Sequence, residues 1–169
     1  MRYFVILSLC FLIGFSANAQ NKKSKKEQQK QEIYQVQKEL INSKSYEFIA
    51  SWAEPVGSSR INLITNPNYL RYTNGDIDMF FPYFGTGQTV NSYNSGDMGI
   101  SYMGRVDDYH VDYNDDKREI TIKFSVNSRA ETFNMRIIVY GESARVIVNS
   151  SGRTTIAYTG EIHPKEEKK

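Results

Sequence analysis

The sequence predicts a mainly β fold: an antiparallel meander of roughly eight to ten strands, closed as a barrel, behind one amphipathic helix. Three observations carry this. Segments 119–126, 131–140 and 144–150 alternate apolar and polar side chains with a period of two, the mark of a sheet with one dry and one wet face. Short breaks at Asn127-Ser128, Gly141-Glu142 and Ser151-Gly152 join such segments as consecutive hairpins. Glu27 to Lys44, by contrast, contains no Gly or Pro and repeats apolar residues at helical spacing.

The elements follow in chain order. Residues 1–19 read as a cleaved secretory signal: Arg2 supplies the positive start, Phe4 to Phe15 the apolar run, and Ala17-Asn18-Ala19 the small-x-small cleavage pattern. That run falls short of the roughly 20 residues needed to cross a bilayer, and no other segment reads as a transmembrane helix. Cys10 stands inside the run after the bulky Leu9, so it reads as a discarded residue and not as a lipidation site. Residues 20–31 are rich in Lys and Gln and lack large apolar side chains, as expected of a flexible lead or a frayed helix start. Residues 32–163 then form a single β domain with its helix, and 164–169 a charged tail.

Within that domain, Ile33, Val36 and Leu40 recur at i, i+3 and i+7, with Tyr34 and Ile41 beside them. This predicts a helix lying across one end or face of the sheet. Strands are expected near 46–54, 60–66, 69–73, 76–81, 98–104 and 106–113, before the three regular ones. Asn74-Gly75 tolerates the positive φ angles of a tight hairpin turn, and Asn66-Pro67-Asn68 reads as another turn. Closure removes exposed sheet edges. Hairpin-length connections favour a barrel over the alternative, a β-sandwich. One connection is long: residues 82–97 are rich in Gly, Ser and Asn and carry Tyr83, Phe84 and Tyr93. Such a loop is either functional or an aromatic plug for one barrel end.

Charge separates ends from body. The chain has 21 basic and 19 acidic side chains, net +2. Between residues 33 and 164 there are 12 basic and 15 acidic ones, so the body is mildly acidic and the basic excess sits in the ends. Arg71 beside Tyr69 and Tyr72 could stack on single-stranded nucleic acid, but a net acidic body argues against nucleic acid as a partner. The single cysteine excludes a disulfide framework and a cysteine-rich zinc site.

Two blocks are more distinctive than the rest: Phe81-Pro82-Tyr83-Phe84-Gly85, and the closing run from Ser150 to Gly160 with its R-x-x-I-x-Y-x-G pattern. Together with the aromatic-rich strands between them, they resemble the DUF4251 family of small exported Bacteroidetes proteins of unknown function. The resemblance spans about residues 40–162. It implies a lipocalin-like or related β-barrel, exported to the periplasm or outer envelope of a Gram-negative bacterium, and it brings no catalytic residues.

Chemistry-bearing motifs are sparse. His110 and His163 lack the HxH or HxxxH spacing of a metal site. Asp112-x-Asn114-x-Asp116 begins like a calcium loop, but Lys117 stands where Gly is needed and Lys123 where the bidentate Glu is needed. Asn114 to Lys117 therefore reads as a polar hairpin turn, with a weak surface calcium site near Asp112 to Asp116 as the minor alternative. Gly141-Glu142-Ser143-Ala144-Arg145 lacks the second Gly of a nucleophile elbow, and Gly85-Thr86-Gly87 lacks the context of a phosphate cradle. Asp76 and Asp78 share a strand face, as two solvent-facing acids would.

The expectation is a monomeric, non-enzymatic envelope protein without cofactor or metal. It would bind a small apolar or amphipathic ligand, or an envelope protein, at one barrel mouth. Tyr83, Phe84 and Tyr93 would make the contact, with Tyr102 and Arg105 as polar fixers. One alternative is a solid scaffold docking through the helix stripe Ile33, Val36 and Leu40. Another is an exported hydrolase with a carboxylate pair.

Overall fold

A computed structural model describes residues 24–85, 99–129 and 131–165. The signal segment with Cys10, Tyr93 and most of the charged tail lie outside them. Helix α1 covers residues 24–42. Ten strands follow: β1 (Ser45–Pro55), β2 (Ile61–Asn62), β3 (Tyr69–Thr73), β4 (Asp76–Pro82), β5 (Gly99–Arg105), β6 (Asp107–Asn114), β7 (Glu119–Asn127), β8 (Thr132–Tyr140), β9 (Ser143–Ser150) and β10 (Ile156–Pro164).

All strand pairs are antiparallel, in the order β5-β4-β3-β1-β10-β9-β8-β7-β6, with β2 as a short addition to β1. The first strand pairs with the last, and the two edge strands β5 and β6 are consecutive in the chain, separated by Val106 alone. One bent stretch, 99–114, thus serves both edges: its first half bonds to β4 and its second half to β7. The sheet is therefore a nearly closed barrel and not a sandwich.

The two-residue pattern of β7, β8 and β9 holds along their lengths. Ile120, Ile122, Phe124 and Val126 point inward and meet the inward rows of β8 and β9. These side chains and those of the other strands form one continuous buried cluster that fills the interior. Each fully buried Ile, Leu or Phe contributes about 1.5–3 kcal/mol. The turns obey their residues: Asn74 and Gly75 both take positive φ in the two-residue turn linking β3 to β4, as a type I′ hairpin requires.

Strand β1 departs from the alternation. Tyr46, Phe48 and Ala50 face inward, but so do Ala53 and Pro55, because a β-bulge between Ala50 and Trp52 shifts the register against β10. Leu63 N–H reaches the Ser51 carbonyl at this point, and the Asn62 side chain then accepts from the Ile64 amide at 3.0 Å. The strand expected over 60–66 is consequently only Ile61–Asn62. The chain turns at Asn66 and re-enters the sheet at Tyr69.

Helix α1 crosses the mouth formed by the β3–β4, β6–β7 and β8–β9 turns. Its buried residues are Tyr34, Gln37 and Ile41, with Ile33 and Leu40 half-buried. The stripe expected through Val36 is therefore rotated, and Val36 is 61% exposed. Tyr34 donates to Asp115 at 2.8 Å, the Lys38 ammonium reaches the same oxygen at 3.0 Å, and Tyr113 donates to Asn42 at 2.6 Å. Residues 24–31, expected to be a flexible lead or helix start, are helical. Glu27 pairs with Arg118 at 2.9 Å, and Arg118 also donates to Gln31. The helix ends where Lys44 enters the left-handed region with φ 55°.

Candidate functional site

The opposite mouth carries Tyr83 and Phe84. Pro82 pairs with Gly99 at the far end of β4 and β5, so Tyr83 emerges at the rim. Its ring packs on the core. Its hydroxyl donates to the Thr154 carbonyl at 3.1 Å and lies 2.8 Å from the Thr154 hydroxyl. The Arg153 guanidinium stands over that ring, 5.2 Å from its centre.

Arg153 is the hub of this rim. Its Nε and Nη2 both reach Glu131 Oε1 at 2.8 Å, while Nη1 donates to the Gly99 carbonyl at 3.0 Å. The Ser150 hydroxyl donates to the other Glu131 oxygen. The two charged side chains are only 21% and 10% exposed, so each depends on the other for its solvation. The contact to Gly99 matters to the fold as well: among the described residues β5 pairs with β4 alone, and Arg153 satisfies a carbonyl of this edge strand. Below this layer Tyr158 stacks on Phe81 at 4.5 Å and donates to the Pro82 carbonyl at 2.8 Å. Burial pushes the Tyr158 phenol well above its ordinary range, with the Tyr83 phenol adding to it and Arg153 opposing.

The four described residues singled out from sequence fall into two separate pairs, Tyr83 with Phe84 at this mouth and Tyr102 with Arg105 away from it. Tyr83 is part of the plug. Phe84, at 39% exposure, is the aromatic of this pair that faces solvent. Tyr102 and Arg105 lie toward and at the other end of β5, where Arg105 pairs with Asp76 across the strands. The Tyr102 hydroxyl donates to the Arg105 carbonyl at 2.8 Å, and the Arg105 side chain is 76% exposed and 3.8 Å from Asp76. Tyr93 lies outside the described residues. Sequence reasoning missed Glu131 and the pinning role of Arg153. Arg153 had a signal, since it opens the R-x-x-I-x-Y-x-G block, whereas Glu131 had none.

No group of three metal-ligating side chains converges among the described residues. His110 is exposed and pairs with Asp112 at 2.8 Å, and His163 pairs with Glu161 at 3.2 Å. Two acids of the would-be calcium loop are already engaged, whereas Asp116 makes no side-chain hydrogen bond or ion pair among the described residues. Asp112 holds His110 and Lys123, and Asp115 holds Tyr34 and Lys38. Asn114 accepts from the Lys117 amide, closing the hairpin turn that the sequence predicts. Asp76 and Asp78 each sit beside an arginine on the outer wall, Arg105 and Arg71.

The model of a domain of unknown function, DUF4251, matches residues 18–162. The chain belongs to the DUF4251 family. A crystal structure of a DUF4251 family protein from Bacteroides eggerthii superposes with a TM-score of 0.59 at 16% identity, covering 78% of this chain and 87% of that one. At that identity the likeness speaks for the fold. No curated protein matches the chain.

In this DUF4251 protein the two distinctive sequence blocks converge on one mouth. From the first block come Phe81, the Pro82 carbonyl and Tyr83. A Cβ on Gly85 would lie within 2.6 Å of Thr154 Oγ1 and closer still to the Tyr83 hydroxyl. From the second come Arg153 over Tyr83, Ile156 in the core and Tyr158 under Pro82, while Gly160 lies further along β10, where its bare Cα lets that strand approach the β1 bulge.

Proposed function

We propose that this DUF4251 protein is an exported, non-enzymatic module of the cell envelope that engages an apolar or amphipathic ligand or partner at the Phe84 mouth. The observation that carries the reading is the inequality of the two mouths. Helix α1 covers one, whereas the other is closed by pinned side chains and leaves Phe84 facing solvent. A filled interior argues for contact at the rim and against a ligand held inside, although a lipocalin-like barrel of this size can do either. The helix stripe is a poorer docking surface, because Leu40 packs on the core and Ile33 is half-buried, which leaves Val36 as its exposed member. A hydrolase reading lacks support, since both oxygens of Glu131, the least exposed acid of the mouth, are already bonded.

Native mass spectrometry of the protein purified from its own compartment tests this. The wild type should carry a reproducible non-covalent mass increment that Phe84→Ser loses. The two should melt within about 2 °C of each other, as a surface change allows. A bare wild-type mass, or an increment that Phe84→Ser retains, would overturn the reading.

A further inference from the structure

The outer wall of β7, β8 and β9 holds a feature that the fold does not require. Register places Lys123 directly opposite Arg136, and like charges so placed oppose pairing. The next outward row is Ser125, Asn134 and Asn149. Beside these two rows β6 leaves β7 through a bulge between Asp107 and His110, where Asp108 takes a positive φ of 54°. The divergence opens a groove of about 430 Å³ lined by both cations, this polar row and Asp108, with Phe124 and Met135 at its floor. Bulges commonly re-aim side chains in this way beside binding sites.

The groove is rich in donors. Lys123 has a partner, Asp112 at 3.2 Å, which His110 shares. Among the described residues, the side chains of Arg136, Ser125 and Asn134 make no hydrogen bond or ion pair. Asn149 accepts from Thr155 through its carbonyl oxygen at 2.8 Å, which turns its amide N–H groups free as donors. The acid lining the groove is Asp108. Arg136 presents a planar fork suited to a two-oxygen acceptor.

We propose that this groove binds an oxyanion, a carboxylate or phosphate carried on a small polar ligand. Arg136 takes the charge, Lys123 shares it, and Ser125, Asn134 and Asn149 bond the remaining oxygens. The anion also neutralises the like-charge pair, so binding and stability rise together.

The test is calorimetric titration and thermal melting of the full chain with three probes: glucuronate, inorganic phosphate and glucose. Glucuronate or phosphate should bind saturably and raise the melting temperature, and the tighter of the two identifies the carrier. Arg136→Gln should weaken that probe about tenfold or more. Without ligand it should melt about 1–3 °C higher than wild type, because the repulsion is gone. Phe84→Ser should leave the binding unchanged, which separates this groove from the mouth. Three results would overturn the proposal: no binding of either anion up to about 10 mM, glucose binding as well as glucuronate, or Arg136→Gln binding like wild type. A lower melting temperature for unliganded Arg136→Gln would also overturn it, since Arg136 would then be holding the sheet together.

Discussion

Gly160→Ala tests the central packing of the barrel. Gly160 lies opposite Ala50 in the pairing of the first and last strands, at the bulge that lets β1 change its inward face. A Cβ there would sit 2.0 Å from the Ile49 carbonyl oxygen and 2.7 Å from the Ala50 Cα. An ordinary carbon–oxygen contact is about 3.3 Å, so the strands must part by more than ~1 Å. Both clashing atoms are backbone and cannot rotate away. Overpacking costs about 1–3 kcal/mol, and two strained ladder bonds add about 1 kcal/mol each, for roughly 3–5 kcal/mol. For a chain of this size that is a fall of about 6–20 °C in melting temperature. Gly141→Ala is the control. Its φ is +59° and nothing lies within 4 Å of the added carbon, so it carries backbone strain alone, about 1 kcal/mol and about 2–4 °C. Thermal melts followed by circular dichroism compare the two. If Gly160→Ala melts no lower than Gly141→Ala, the close approach of β1 and β10 is not as described.

Other outcomes follow from the mouths and the aromatic layer. Arg153→Met strands Glu131 against Ser150 and removes the cap on the Gly99 carbonyl; denaturant unfolding should show a loss of about 2–4 kcal/mol, and a neutral result would refute the pinning role. Ile41→Ala removes the deepest anchor of α1, at about 2–4 kcal/mol by the same measurement. The hydrogen bond from Tyr34, followed by that from Lys38, holds Asp115 below its usual carboxylate range. That contribution to helix docking is present above about pH 4 and is lost as the pH falls through the lower folded value. Hydrogen exchange along α1 should accelerate there, before the barrel's amides do. At the alkaline end, burial pushes Tyr109 up to about 12 and Tyr46 well above its ordinary value. The folded state keeps these phenols neutral while the unfolded state ionises near pH 10. Their contribution is thus complete below about pH 10 and is lost as the pH rises toward 12. Phenolate absorbance should show this group ionising together with unfolding, and complete ionisation near pH 10 in a folded protein would contradict it.

Much of the fold was legible because local patterns dictate it. The alternation in β7 to β9 and the Asn74-Gly75 turn are properties of short segments, and the barrel places them as read. Non-local features were not legible. The bulge in β1 breaks the parity on which strand reading depends, so Ala53 and Pro55 turn inward and 60–66 cannot remain a strand. On α1, Val36 looks like a core residue by hydrophobicity, yet the face that docks is chosen by Tyr34, which needs Asp115 for its hydroxyl. At the mouth, Glu131 and Arg153 meet only through the β8–β9 register and the turns beyond it, a distance of 22 residues along the chain. Arg105 is expected from sequence to sit near Tyr83 as a polar fixer, but the β4–β5 register places it at the opposite end of the pair.

Of the two neighbouring aromatics at the open mouth, Tyr83 is bonded to Thr154 and lies under Arg153, and Phe84 is the one proposed to contact the ligand or partner. A photo-crosslinking residue at position 84, compared in cells with the same residue at exposed position 36 on α1, tests this most directly. A discrete, reproducible adduct is expected from position 84, and none of that adduct from position 36. No adduct at 84, or the same adduct from both positions, would contradict it.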